Sequence, residues 1–257
     1  MFQTILVDPF LNILIGIRNF LPGNDLGIAI ILLTLIVRLI LYPFAAKQIR
    51  AQRAMQELQP RINEIRAKHK DDKETQTKAL MEFYKKNRVN PLSSCLPLVV
   101  QILFIYPLFL VFRLTISGAE FGERLYPFIA HPPVPMDATF LNFLDLAQTH
   151  NIALAVLTAG AQFYQSWMLM RKRKKDQAGK PKPSKNDPQA AATALTNNLT
   201  YVFPLMTGYF AYQFPAGLAL YWLASTLFAI LQQWIIMRGS ASRPSGEHPE
   251  HEAVVVK

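Results

Sequence analysis

The sequence predicts an all-α polytopic membrane protein with five transmembrane helices, a cytosolic amphipathic helical hairpin and an N-terminal interfacial helix. Three observations carry this. Of 257 residues, 51% are hydrophobic and 17% are charged. The apolar residues are blocked into long runs instead of recurring with the period of a soluble core. The cations, which give a formal net charge of +10, concentrate in two stretches between those runs, as in a chain oriented across a bilayer.

Residues 1–24 come first. Phe10, Leu14, Ile17 and Leu21 share one helical face, which reads as a helix lying in the membrane interface; a short sixth span is the alternative. The first charge is Asp8, and neither a basic n-region nor a small-residue cleavage site marks a signal peptide.

The first span, 26–45, opens with LGIAIILLTLIVRLILY and carries one charge, Arg38. A transmembrane helix needs roughly 20 apolar residues, and an arginine within one costs about 2.5 to 17 kcal/mol. Two readings of Arg38 stand. It lies roughly 10 Å of helical rise from the Lys47 end, so a long side chain could snorkel to that interface. Alternatively it faces a wet, protein-lined cavity. Thr34, Arg38 and Tyr42 recur at i, i+4, i+8 as one polar stripe, which favours the cavity.

Pro43 marks a break, and residues 47–90 hold twelve cations against six acids. Met55, Leu58, Ile62 and Ile65 fall at helical spacing, as do Thr77, Leu80 and Tyr84. This predicts two amphipathic helices with Lys70-Asp71-Asp72 as the turn, forming a hairpin in the cytosol.

The second span, 92–112, contains Pro97, Pro107 and one strongly polar side chain, Gln101, a residue type that serves as interhelical glue. Residues 113–150 are mixed, and FLNFLDL at 140–146 reads as a short interfacial helix. The third span, 152–170, places Thr158, Gln162 and Gln165 on one face. A flexible basic loop, 171–187, follows with eight cations and two acids, rich in Lys and Pro. From Pro188 to Met237 no residue is charged. That length holds spans four and five, 199–214 and 217–237, joined by the FPAG turn at 214–217. The tail, 239–257, is expected to be disordered. With basic residues kept inside, the N-terminus lies outside and the C-terminus in the cytoplasm. The basic loops also suit contact with anionic phospholipids.

No catalytic set emerges. The single cysteine, Cys95, excludes an intrachain disulfide or cysteine cluster, and the five histidines lack ligand spacing. Neither a metal nor a cofactor is expected. No carboxylate lies in any predicted span, which disfavours a proton relay. The spans offer Arg38, Thr34, Gln101, Gln162, Gln165 and aromatics such as Tyr221 and Trp222, a lining suited to a polar or anionic chain segment. A small anion transporter or channel coordinated by Arg38 is the rival reading, and an assembly chaperone that holds partner helices is another.

Three runs carry a resemblance: LTLIVRLILYPFAAKQIRAQRAMQELQPRINEIRAKHKDD, FYKKNRVNPLSSCLPLVVQILFIYPLF and FPAGLALYWLASTLFAILQQW. In this order, across about residues 25–238, they resemble the YidC family of membrane protein insertases, to which mitochondrial and chloroplast insertases are related. The resemblance implies a five-helix core around a hydrophilic groove open to cytosol and lipid and closed outside, in the cell (inner) membrane. It implies that Arg38 attracts acidic or polar parts of nascent membrane proteins, that Gln165 and Trp222 line the groove, and that hairpin 47–90 captures substrate. The implied partners extend to the Sec translocon, the signal recognition particle and its receptor, and the ribosome. Two departures stand out. The last helix reads Ser225-Thr226 where the family commonly has Ser-Asn after its Tyr-Trp pair. No stretch matches the large periplasmic domain, extra first helix or long basic ribosome-docking tail of other members, which argues against strong ribosome binding; loop 171–187 could partly substitute, through ribosomal RNA phosphate or through the targeting receptor.

Overall fold

The computed structural model describes residues 3–70, 72–87, 89–90, 96–116, 124–133, 136–177 and 188–241. These are predominantly helical. A π-helical turn, Gln3–Val7, leads into α1, Asp8–Phe20. Leu11, Leu14 and Ile15 are buried against α2 (Leu26–Ile40) and α6 (Leu96–Ile116). The apolar face expected from Phe10, Leu14, Ile17 and Leu21 is therefore turned: Phe10, Ile17 and Leu21 are only partly buried. The core packs against this helix, and its exposed large apolar residues are Ile13 and Phe20.

α2 begins at Asp25, whose Oδ1 accepts the Ile28 N–H at 2.8 Å, a carboxylate N-cap. Its buried face is Leu26, Ala29, Ile30 and Leu33. The helix does not run straight through 26–45 as expected. It breaks at Leu41 and turns by 67° into α3, Tyr42–Glu57. Pro43 is the physical cause, since it has no N–H for the Leu39 carbonyl; the helix gives way two residues before the proline.

The hairpin region differs from the expected two helices in having three. α3 ends at Glu57, α4 spans Gln59–Lys68, and α5 spans Lys73–Lys86. Pro60 sits in the first turn of α4, where a missing N–H is tolerated. α4 and α5 pack with Ile62 and Leu80 buried, and the Gln76 amide donates to the Arg66 carbonyl at 2.8 Å. The expected turn 70–72 does separate them, although Asp71 lies outside the described residues. Asp72 caps α5, its Oδ1 accepting the Glu74 and Thr75 N–H groups at 3.0 and 3.1 Å.

Hydrogen bonds from the Thr75 side chain and backbone hold the Asp72 carboxyl below the usual carboxylate range. A group whose pKa is depressed by folding stabilises above its unfolded pKa and stops doing so as pH falls through its folded value. Amide exchange at Glu74 and Thr75 should therefore accelerate, relative to intrinsic rates, on acidification below about pH 4. Asp72→Ala should show the same loss of protection already at neutral pH, and equal protection in the two proteins at pH 7 would refute the cap.

Pro107 lies within α6, and Leu108, Val111 and Phe112 are buried. Residues 91–95, the start of the second expected span, lie outside the described residues. α7 spans Ile152–Gln177, α8 spans Pro188–Gln213 and α9 spans Ala216–Ala241. Three boundaries thus move. Arg171–Gln177, expected as loop, continues α7; α8 starts well before 199; and α9 runs into the expected tail. Residues 178–187 and 242–257, the rest of the loop and tail, lie outside the described residues. α7 and α8 approach closely where Gly208 faces Ala159: a Cβ at 208 would lie 2.9 Å from the Ala159 Cβ.

The segment between α6 and α7 caps one end of the bundle. FLNFLDL is not the expected helix. Thr139–Phe140 (β1) and Leu144–Asp145 (β2) form a small antiparallel hairpin, with Leu141 and Asn142 at φ 51° and 60°. The Asp25 Oδ2 takes the Leu141 N–H at 2.6 Å, and the Leu146 N–H bonds to the Ala138 carbonyl at 2.8 Å. These tertiary partners outweigh the helical spacing of the leucines. Buried Asn12 donates to the Arg124 carbonyl at 2.9 Å and accepts the Tyr126 N–H at 2.6 Å. Asn19 donates to the Ala130 carbonyl at 2.7 Å. The Ala216 and Gly217 N–H groups bond to the carbonyls of Gln148 and Leu146 at 2.8 and 2.9 Å. One segment thereby joins α1, α2 and the α8–α9 turn.

Among the described residues, Ala216–Arg238 is long and apolar enough to cross a membrane by itself. Leu26–Ile40 with Tyr42–Met55 meets the same length and composition as a bent pair, and Phe104–Leu114 is a shorter apolar stretch.

Candidate functional site

The site starts from a charge that α2 carries into the bundle. Arg38 is half-buried and lies against α9. Its Nε donates to the Ser225 Oγ at 3.2 Å, and its Nη2 donates to the same oxygen. Tyr221, one turn before Ser225, is buried with its phenol beside Ser225. Among the described residues no carboxylate pairs with Arg38; the ion pairs found there are Arg53–Glu57, Arg61–Glu64 and Lys78–Glu74, all in the hairpin region. Neutral oxygen atoms orient this guanidinium without cancelling its charge. A cation left in that state attracts an anion more strongly than it would in bulk water, because the surroundings are less polarisable.

The break at Leu41 is held from the same helix. The last rung of α2 is the Leu41 N–H on the Val37 carbonyl, at 3.0 Å. Beyond it, the Gln232 amide of α9 donates to the Arg38 carbonyl at 3.2 Å. Side chain and backbone of Arg38 are thus both fixed by α9, through Ser225 and Gln232. Gln232→Met, close in shape but without the donor, should destabilise the protein by about 1 kcal/mol, the cost of a part-buried carbonyl losing its partner. Gln233→Met should cost less, since the Gln233 amide reaches only the Met237 sulfur at 3.8 Å. Thermal unfolding in lipid nanodiscs compares the two, and equal shifts would count against the bond to Arg38.

The other expected site residues are less concentrated. Thr34 is buried, but its hydroxyl turns back to the Ile30 carbonyl at 2.7 Å. Tyr42 lies past the bend, so the Thr34–Arg38–Tyr42 stripe is not continuous. Trp222 is buried in the main apolar cluster. Gln162 and Gln165 bond to each other within α7, Nε2 to Oε1 at 3.2 Å. Gln101 is half-buried on α6, and its buried Nε2 has no hydrogen-bond partner among the described residues. The structure brings Arg38 together with Tyr221, Ser225 and Gln232. Three or more His, Cys, Asp or Glu side chains placed to hold a metal do not occur among the described residues.

Residues 17–243 match the family described as 60Kd inner membrane protein. The chain belongs to this family. A Fusobacterium nucleatum protein named membrane protein insertase YidC is 32% identical over 237 residues, 92% of this chain and 97% of that protein. The proteins of the same name from Chlamydia trachomatis and Francisella tularensis subsp. novicida are 31% and 33% identical, over 100% and 89% of this chain. Those two are longer: the matched regions make up 31% and 36% of their lengths. In this member of the 60Kd inner membrane protein family, Gln232 was not anticipated from sequence. Its signal was available: Tyr221, Ser225 and Gln232 fall at i, i+4 and i+11, one face of α9.

Proposed function

We propose that this chain is a membrane protein insertase and chaperone. It moves short polar segments of nascent membrane proteins through a hydrated, cytosol-open groove beside Arg38. It then releases their apolar helices sideways into lipid, without nucleotide hydrolysis. The observation that carries this reading is the Arg38 guanidinium, bonded to a serine hydroxyl between α2 and α9 and unpaired with any carboxylate among the described residues. The names of the relatives support the same activity.

The mechanism follows from two opposing costs. A polar tail entering hydrocarbon loses its water, and a groove that keeps water partway into the bilayer shortens that barrier. An acidic group on the tail gains a transient partner in Arg38. The client's apolar helix then enters lipid, where burial of its surface supplies roughly 25 cal/mol per Å², so no coupled hydrolysis is required. In this reading five segments cross the membrane, the N-terminus lies outside, and the α4–α5 hairpin with the basic stretch after α7 faces the cytosol. There they meet anionic phospholipids, nascent chains and components of the targeting and translocation machinery: the Sec translocon, the signal recognition particle, its receptor and the ribosome.

Photocrosslinkers placed singly at Arg38, Gln165 and Trp222 test the groove against a ribosome-stalled, single-span nascent chain. Adducts from these positions are expected, with weaker ones from Ile36, which is exposed on the outer side of α2. Adducts from Ile36 alone would overturn the groove.

A further inference from the structure

The cap at the end of the bundle carries bulky apolar side chains that are exposed among the described residues. Phe128 is 80% exposed and Phe143 is 75% exposed. Phe20, at the end of α1, is 91% exposed, and Leu141, at the tip of the β1–β2 hairpin, is 54% exposed. Phe128 lies 5.6 Å from the Tyr126 ring, and Phe143 lies 6.1 Å from Phe140, which turns inward onto Gly27. The cap therefore has an inner apolar surface, spent on the core, and an outer one that is free.

The depth of that outer surface follows from its hydrogen bonds. Leu141 is bonded to Asp25, the residue that starts α2, at 2.6 Å. Leu146 and Gln148 are bonded to the first residues of α9 at 2.9 and 2.8 Å. Ala130 is bonded to Asn19 beside Phe20 at 2.7 Å. If α2 and α9 cross the membrane, as in the function proposed above, the cap stands at the level where their apolar residues begin. Phe and Leu side chains bury favourably at that depth, at the boundary between headgroups and acyl chains. The cap's backbone suits it too: a tight hairpin with paired carbonyls near headgroup water does not expose unsatisfied groups to hydrocarbon.

We propose that the cap is seated in the lipid interface, with Phe20, Phe128, Leu141 and Phe143 inserted among the headgroups and upper acyl chains of the leaflet it faces. It acts as an anchor that fixes the height of α2 and α9 in the bilayer. The occupant is lipid and not a protein partner, because the free side chains are distributed along the cap and the end of α1 and sit beside the ends of apolar helices.

The test uses the full chain carrying Cys95→Ser, with a single cysteine introduced as Phe128→Cys or Phe143→Cys and labelled with an environment-sensitive NBD dye. Leu227→Cys on the exposed face of α9 and Glu74→Cys in the hairpin serve as references. The proteins are placed in phosphatidylcholine–phosphatidylglycerol vesicles with lipids spin-labelled at a shallow or a deep acyl position. At 128 and 143 the shallow lipid should quench more than the deep one, and aqueous iodide should quench several-fold less than at 74. At 227 the deep lipid should dominate. Iodide quenching at 128 and 143 as strong as at 74 would overturn the anchor while leaving the spanning reading intact, if 227 still reports depth. Protection of the cap labels from both iodide and spin-labelled lipid would overturn it in favour of a protein covering. Aqueous behaviour at 227 as well would mean that α9 does not span.

Discussion

Arg38→Ala is expected to reduce insertion of single-span clients with acidic N-terminal tails by about tenfold or more. A hydrogen bond to a charged group contributes on the order of 1.5–3 kcal/mol, and each ~1.4 kcal/mol is a factor of ten. Clients with short uncharged tails should lose much less, because in the proposed function they would draw on the water of the groove and not on the cation. Arg38→Lys should retain much of the activity, since the attraction is to charge and the Ser225 hydroxyl can accept from an ammonium as well. Protease protection of the client in proteoliposomes measures all three. Normal insertion of acidic-tailed clients by Arg38→Ala would remove the central claim. Equal loss for acidic and uncharged tails would assign Arg38 to bundle packing.

The second large effect lies at the opposite end of α9. Gly217 closes the FPAG turn directly under the Phe112 ring, and a Cβ there would overlap the ring carbons. Phe112 is 1% exposed, so the ring has no free volume to move into. Gly217→Ala should destabilise the protein by about 1–3 kcal/mol, the usual cost of forcing an extra carbon into a packed core. Adding Phe112→Leu should recover part of that loss, so the double variant should be more stable than the sum of the two single changes. Thermal unfolding in nanodiscs reads the coupling; strict additivity would mean that the two residues do not meet in the folded protein.

The residue pattern revealed most of what is helical and little of how the helices end. Long apolar runs located α2, α6 and α9, and the spacing of Ile62 and Leu80 located the seam between α4 and α5. The break at Leu41 was misplaced by two residues, because a proline disrupts the carbonyls before it as well as its own position. The 140–146 segment was misread because its leucines fit a helix, whereas Asp25, distant in sequence, takes the Leu141 N–H that a helix would need. The same limitation affected the site. Arg38 was legible as an isolated charge in an apolar run, but its contact with Ser225 and Gln232 depends on how α2 and α9 face each other. Gln162 and Gln165 share a face as expected, yet they bond to one another.

The bonds at the cap end have a mechanical consequence. α2 is pinned at Asp25, and α9 at Ala216 and Gly217, to the same short segment. At the far end the two helices meet in the shared apolar cluster and in the hydrogen bonds of Arg38 with Ser225 and Gln232. Parting them is therefore a pivoting motion about the cap. At 1.5 Å per residue, Arg38 is about 18 Å along α2 from that fulcrum, so a tilt of about 10° separates the helices there by about 3 Å. In the function proposed above, room for an entering chain would grow toward the Arg38 end, while the pinned end moves least.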